Sequence, residues 1–160
     1  MSEIKFKVHA PRWEELPAID LYIDQVVKLL EDYLKDFNTD KDEKIITKAM
    51  INNYVKHGIL KSPVKKKYDK SHIAHLFVIC LLKQLYSIND IKELIRLGLG
   101  IAPIEISYNQ FCTVIEESIT STFEHKGCID EETGKARQLL RSIAQSYANK
   151  LYVEKTFLNK

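Results

Sequence analysis

Residues that break helices are scarce in this chain, and where they stand they divide it into helix-length pieces. Pro17, Gly58, Pro63, Gly98, Gly100, Pro103, Gly127 and Gly134 are the breakpoints. Between them no run alternates apolar and polar residues over strand length, and nothing repeats or falls into low complexity. The fold class expected is therefore all-α. A chain of 160 residues buries roughly 68–70% of its unfolded surface, so it folds without a metal or a disulfide framework.

The apolar spacing fills in the pieces. Pro17 suits a first helical turn, and Ile19, Ile23, Val26, Leu30, Tyr33 and Phe37 recur at steps of three and four, which predicts a helix from Pro17 to Phe37. Its outer face is acidic and is expected to point away from any phosphate backbone. Thr39 or Asp40 is placed to cap a short helix, and Thr47 to cap the next one. That helix spans 48–57 and stops at Gly58, with Ile59 and Leu60 packing back. Asp69 or Ser71 starts a strongly apolar helix to about Leu85, which reads as central and buried. Ser87 and Asp90 begin a shorter helix stopped by Gly98. Pro103 opens a helix to about Lys126 carrying Tyr108, Phe111, Ile115, Ile119 and Phe123. Asp130 caps a last one carrying Leu140, Ile143, Tyr147, Leu151 and Leu158. Two long helices joined by a short turn predict a C-terminal antiparallel hairpin.

Charge and cysteine usage narrow the function. The net charge of +2 is too small for the whole chain to select a partner, but Lys61, Lys65, Lys66, Lys67 and Lys70 cluster against Asp69 alone. Cys80, Cys112 and Cys128 are odd in number, widely spaced and free of any CxxC pair, which points to a reducing compartment. Neither a signal-peptide pattern nor a membrane-length apolar run occurs, so the chain is expected in the cytoplasm, away from membranes.

Enzyme signatures are missing. No phosphate-binding glycine loop, zinc-protease or nucleophile-elbow pattern is present. His72 and His75 share a helix side but have no third ligand at metal spacing, and read as a solvated or hydrogen-bonded pair near a helix start. Cys80 sits in an apolar stripe as an inert thiol, and the adjacent Glu116 and Glu117 point to different sides. No catalytic residue, metal or cofactor is expected.

The stretch from Thr47 to Tyr68 is different. At about 100° per residue, Met50, Ile51, Tyr54 and Val55 fall on one side of helix 48–57. Ala49, Asn52, Asn53 and Lys56 fall on the other. Amides and a small residue facing outward suit base edges: asparagine pairs with adenine and alanine lies against a thymine methyl. Lys48 and Lys56 would take phosphates, and Lys65, Lys66 and Lys67 would track the backbone without reading sequence. Tyr68 closes the basic turn and anchors it against the core. Double-stranded DNA is the partner this pattern fits.

The order of parts from Thr47 to Leu94 resembles the DNA-binding half of MerR-type regulators. Thr47, Ile51, Tyr54, Gly58-Ile59-Leu60, Pro63, Lys66-Lys67-Tyr68, Leu76, Ile79, Leu82 and Ser87 to Ile91 carry the resemblance. It implies a recognition helix at 48–57 and a winged helix-turn-helix core with a lysine-rich wing at 61–68. The pattern departs at Asn52-Asn53, where those regulators carry Arg-Tyr, and in a shorter wing. It departs again in having no recognisable first helix-turn-helix element between Thr39 and Ile46. The whole chain resembles more closely a bacterial family labelled only as domain of unknown function 1836. The segments LPAIDLYIDQVV, TKAMINNYVKHGIL, KKKY and LLKQLYSINDIKELI carry that likeness, which implies a small cytoplasmic protein and brings no activity.

The reading is a DNA-binding transcriptional regulator, with residues 1–100 as the winged-helix-like region and 101–160 as a helical hairpin for dimerisation or sensing. A homodimer is expected. The rival is a non-enzymatic interaction or ligand-sensing module that has lost DNA contact. Tyr108, Phe111, Phe123 and Tyr147 would then line a ligand pocket or dimer contact.

Overall fold

A computed structural model of the protein describes residues 6–38, 40, 42–99, 102–124 and 134–158. Those residues form β1 (Leu21–Tyr22), α1 (Ile23–Leu34), α2 (Lys48–Lys56), β2 (Lys67–Tyr68), α3 (Lys70–Leu82), α4 (Ile88–Leu99), α5 (Ile104–Phe123) and α6 (Lys135–Thr156). Among them no helix is long and apolar enough to cross a membrane.

α3 is the centre. Its apolar residues lie all round, so it has no face to offer water, and Ile73, Leu76, Phe77, Ile79 and Leu81 are all buried. Phe77 joins the surrounding helices through its ring. The Phe37 ring, just beyond α1, stands edge-on at 5.6 Å, and the Tyr108 ring of α5 at 6.2 Å. Tyr147 of α6 closes the group, its ring 6.4 Å from Phe37 and its hydroxyl donating to the Phe37 carbonyl at 2.7 Å.

The chain before β1 is strapped along α5. Glu116 accepts from the Ala10 N–H at 2.8 Å and takes both arms of the Arg12 guanidinium at 2.9 and 2.7 Å. Tyr108 donates its hydroxyl to the Pro11 carbonyl at 2.6 Å, and the Trp13 N–H donates to Asn109. Burial works against the Glu116 charge, but the hydrogen bonds from Arg12 and Ala10 outweigh it and hold the carboxyl below its usual range. Glu116 is thus committed to structure.

The expectation of an all-helical chain is corrected at its start. Leu21 and Tyr22 are extended and pair antiparallel with Tyr68 and Lys67, so helix α1 begins at Ile23. Ile19, expected in the helical stripe, is 73% exposed, because no helix is there to turn it inward. Asn38, Asp40 and residues 42–46 form no helix. Thr39, Gly127, Asp130 and Cys128 lie outside the described residues.

The antiparallel hairpin is corrected as well. α5 and α6 pack together but run in the same sense. Tyr108 and Phe111 near the start of α5 share a cavity with Ala136 and Leu140 near the start of α6. At the other end, the Phe123 ring meets Tyr152 at 5.3 Å. A tight turn would have forced the antiparallel arrangement. Instead residues 124–134 separate the helices, and a chain of that length reaches about 35 Å, against about 30 Å for the length of α5. Two smaller differences follow from helix ends: α4 passes through Gly98 to Leu99, and α6 stops at Thr156, leaving Leu158 56% exposed.

Candidate nucleic-acid interface

Helix α2 is built from local signals at both ends. The Thr47 hydroxyl accepts from the Met50 N–H at 3.2 Å, which satisfies one of the free donors of the first turn. At the other end Gly58 takes φ of +71°. Ile59 N–H then reaches the Tyr54 carbonyl at 3.0 Å, and Gly58 N–H the Val55 carbonyl at 3.1 Å. These two bonds form a Schellman stop, and Ile59 and Leu60 bury behind it. Between the caps Ile51 and Tyr54 are buried, while Lys48, Ala49, Asn52, Asn53 and Lys56 are exposed. The Asn52 and Asn53 amides and the Lys56 ammonium have no hydrogen-bond or ion-pair partner among the described residues.

The segment expected as a wing is a two-residue hairpin. Val64 and Lys67 exchange both backbone hydrogen bonds, at 3.1 and 2.9 Å, around Lys65 and Lys66. Both central residues have positive φ, +51° and +65°, as a type I′ turn requires. Asparagine and glycine tolerate that geometry; for lysine it costs about 1–2 kcal/mol per residue. Two side chains that strain the turn yet carry charge at its tip are the feature of the wing that stability alone does not explain.

A buried histidine clamps the wing at its base. His72 Nε2 donates to the Ser62 carbonyl on one leg at 3.3 Å. On the other leg its Nδ1 lies 3.0 Å from the Asp69 backbone nitrogen and 2.9 Å from the Asp69 carboxylate. Asp69 caps α3 through the His72 N–H, at 3.1 Å. Burial opposes the Asp69 charge, but hydrogen bonds from Ser71, the His72 backbone and Lys61 prevail and hold the carboxyl well below its usual range. Tyr68 is buried, with its ring edge-on to His72 at 5.1 Å. It therefore stands beneath the wing as an anchor, and Lys65, Lys66 and Lys67 are what the wing exposes.

The two halves meet at the start of α1. Lys67 places its ammonium over the Tyr22 ring, 5.3 Å from the centroid. Two residues further on, Asp24 pairs with Lys48 of α2. This corrects the expectation that the acidic residues of the first helix all point away from the basic surface. Because β1 delivers the chain beside the wing, the first turn of α1 lies against α2, and Asp24 already matches the charge of Lys48.

Two lysines that the sequence did not single out belong to the same region. A side chain added at Gly58 would stand 3.4 Å from Lys92 Nζ, so this α4 ammonium lies at the C-terminal end of α2, where the helix dipole favours it. Lys83 of α3 donates to the Ile45 carbonyl and reaches Met50 Sδ at 3.4 Å, tying the entry of α2 to the core. Burial lowers the Lys83 pKa. Neither lysine carries a signal in one dimension, since each acts on α2 from another helix.

The aromatic residues expected at a pocket or dimer contact split. Tyr108 and Phe111 line the cavity at the α5 and α6 starts. Tyr147 is buried elsewhere against Phe37. Phe123 is half-buried, stacked on Phe6 at 4.4 Å. Tyr108, Phe111 and Tyr147 therefore form no surface for a second copy. Burial pushes the Tyr108 and Tyr147 phenols far above their ordinary range, and the Cys80 thiol up to about 12.

Among known families, residues 11–111 fit the one described as "Domain of unknown function (DUF1836)". The matched span contains β1, α2, the wing, α3 and α4 entire, and leaves α6 outside. No curated protein and no solved structure matches the chain.

Proposed function

The chain belongs to the DUF1836 family, whose description assigns no activity, and we propose from the interface itself that it binds double-stranded DNA as a transcriptional regulator. One observation carries this reading. An exposed helix face of unengaged amides and a strained, lysine-tipped hairpin, separate in sequence, are both fastened to the start of α1. In this arrangement α2 enters the major groove with Ala49, Asn52 and Asn53 toward base edges. Lys56 and Lys92 reach phosphates at one end of the helix, and Lys65, Lys66 and Lys67 reach them from the wing. Lys48, matched by Asp24, adds less. The order of helix, Schellman stop, wing and capped α3 supports a relationship to MerR-type winged helices, with β1 acting as the strand that holds the wing.

A homodimer belongs to the same reading, since paired half-sites need two copies of α2. Val153 and Phe157 near the end of α6, 46% and 67% exposed, are the apolar residues that support such a contact.

The experiment is duplex binding across a salt series. Affinity should fall steeply with salt, and replacing Lys65, Lys66 and Lys67 by Gln should flatten the log–log slope by about 0.9 for each phosphate no longer neutralised. If no duplex binds at low salt, the DNA reading fails, and co-purification of a protein partner would then favour the interaction module.

A further inference from the structure

α3, α4, α5 and α6 leave a cavity of about 340 Å³ between them, within the size range of small-molecule sites, about 300–1,000 Å³. Its walls are set back by small residues, Ala74, Gly98 and Ala136, and filled in by apolar ones such as Val78, Leu94 and Leu140. The cavity opens to solvent, so its apolar walls stay in contact with water unless something covers them. We propose that the cavity binds a small, uncharged, mainly apolar molecule whose single polar group is held at the mouth by Gln110.

The polar inventory of the walls selects that chemistry. Among the described residues no carboxylate lines the cavity to hold a cation. Arg137 is engaged in another interaction, and its Nε is sealed from solvent. The Ser107 hydroxyl is used on the Ala102 carbonyl at 3.2 Å, and the Tyr108 hydroxyl on Pro11. The His75 Nε2 is sealed from solvent. Burial, with Lys61 and His72 nearby, lowers the His75 pKa and leaves the ring neutral. Gln110 remains. It is exposed at the rim, and its amide has no partner among the described residues. An amide can both donate to and accept from a hydroxyl or carbonyl. The apolar body then goes inward and the polar group stays at the opening.

This site is independent of DNA contact and is read without DNA. Calorimetric titration of the full chain with 2-naphthol, naphthalene and 2-naphthoate tests it. Binding of 2-naphthol should saturate at one per chain, with the other two at least tenfold weaker. Gln110→Leu should bring 2-naphthol down to the level of naphthalene. Ala136→Phe, at an exposed position on the rim, should block entry while leaving the circular dichroism spectrum unchanged. Leu140→Phe fills the same space from inside. The proposal is overturned by the absence of saturable binding, by 2-naphthol binding that survives both Phe substitutions, or by 2-naphthoate binding as tightly as 2-naphthol.

Discussion

On the proposed reading, replacing Lys65 by Asn and Lys66 by Gly should make the protein more stable and a poorer DNA binder. At these two positions φ is +51° and +65°. For an L-residue with a bulky side chain that region costs about 1–2 kcal/mol. Glycine removes the penalty at position 66 but offsets about 0.4–1 kcal/mol of the gain through a freer unfolded chain. Asparagine, which visits the region routinely, relieves part of it at position 65. The net gain is about 1 kcal/mol, which for a chain of this length raises the melting midpoint by about 2–4 °C. The turn itself should be preserved, because Asn-Gly is the pair this turn type favours. Duplex affinity should fall, with the salt slope smaller by up to about 1.8 for two phosphates no longer neutralised. Urea denaturation and a binding series at several salt concentrations read both effects on one sample. No gain in stability would refute the strain at the tip. Unchanged DNA binding with increased stability would refute the role of the wing lysines.

Other outcomes follow from single contacts. Thr47→Ala removes the cap of α2 and should cost about 1 kcal/mol by thermal melting, with Thr47→Ser close to the parent protein. Lys83→Met should loosen the α2 entry, seen as faster amide exchange at Met50 and Ile51. It should weaken duplex binding with the salt slope unchanged, whereas a direct phosphate contact would change the slope. Glu116→Gln should cost about 1–2 kcal/mol at neutral pH, discounted for partial exposure of the Arg12 pair. The Glu116 carboxyl is held below its unfolded value, so its contribution is present above the unfolded pKa of about 4.3 and is lost as pH falls through the folded one. The variant and the parent should therefore converge in stability under acid, and a difference that persisted to strongly acid pH would contradict the assignment.

What could be read in one dimension was whatever is decided within a turn or two of helix. Thr47, Gly58 and Ser87 announced their helix ends because a cap is a contact between residues three to six apart, and each forms the bond its spacing implied; of the two candidates Asp69 and Ser71, packing selected Asp69. The buried and exposed sides of α2 followed from rotation alone. β1 was hidden for the opposite reason. Leu21 and Tyr22 are extended only because Tyr68 and Lys67, far along the chain, offer backbone partners, and nothing local distinguishes them from the first turn of α1. The direction of α6 was hidden in the same way, since apolar spacing fixes which side of a helix is buried and says nothing of which way it runs. The pairing of Lys48 with Asp24, the place of Lys92 and the use of Lys83 on Ile45 are likewise tertiary facts. The parts of the candidate interface were therefore legible in one dimension, while its charge balance came from packing.

That balance also says which parts of the interface can be varied freely. α2 is held at its entry by Lys83 and at its stop by Gly58. The wing is held at its base by His72 and Tyr68. Changes at those residues should alter stability and binding together, since they move the surface they support. Lys56, Lys65 and Lys66 are exposed and lack ion-pair partners among the described residues. Their charges are available to a phosphate, and removing them leaves no buried group unsatisfied. Separating the two classes experimentally is therefore direct. Support residues should shift the melting midpoint and the affinity in the same direction, and tip lysines should shift the affinity alone or against stability.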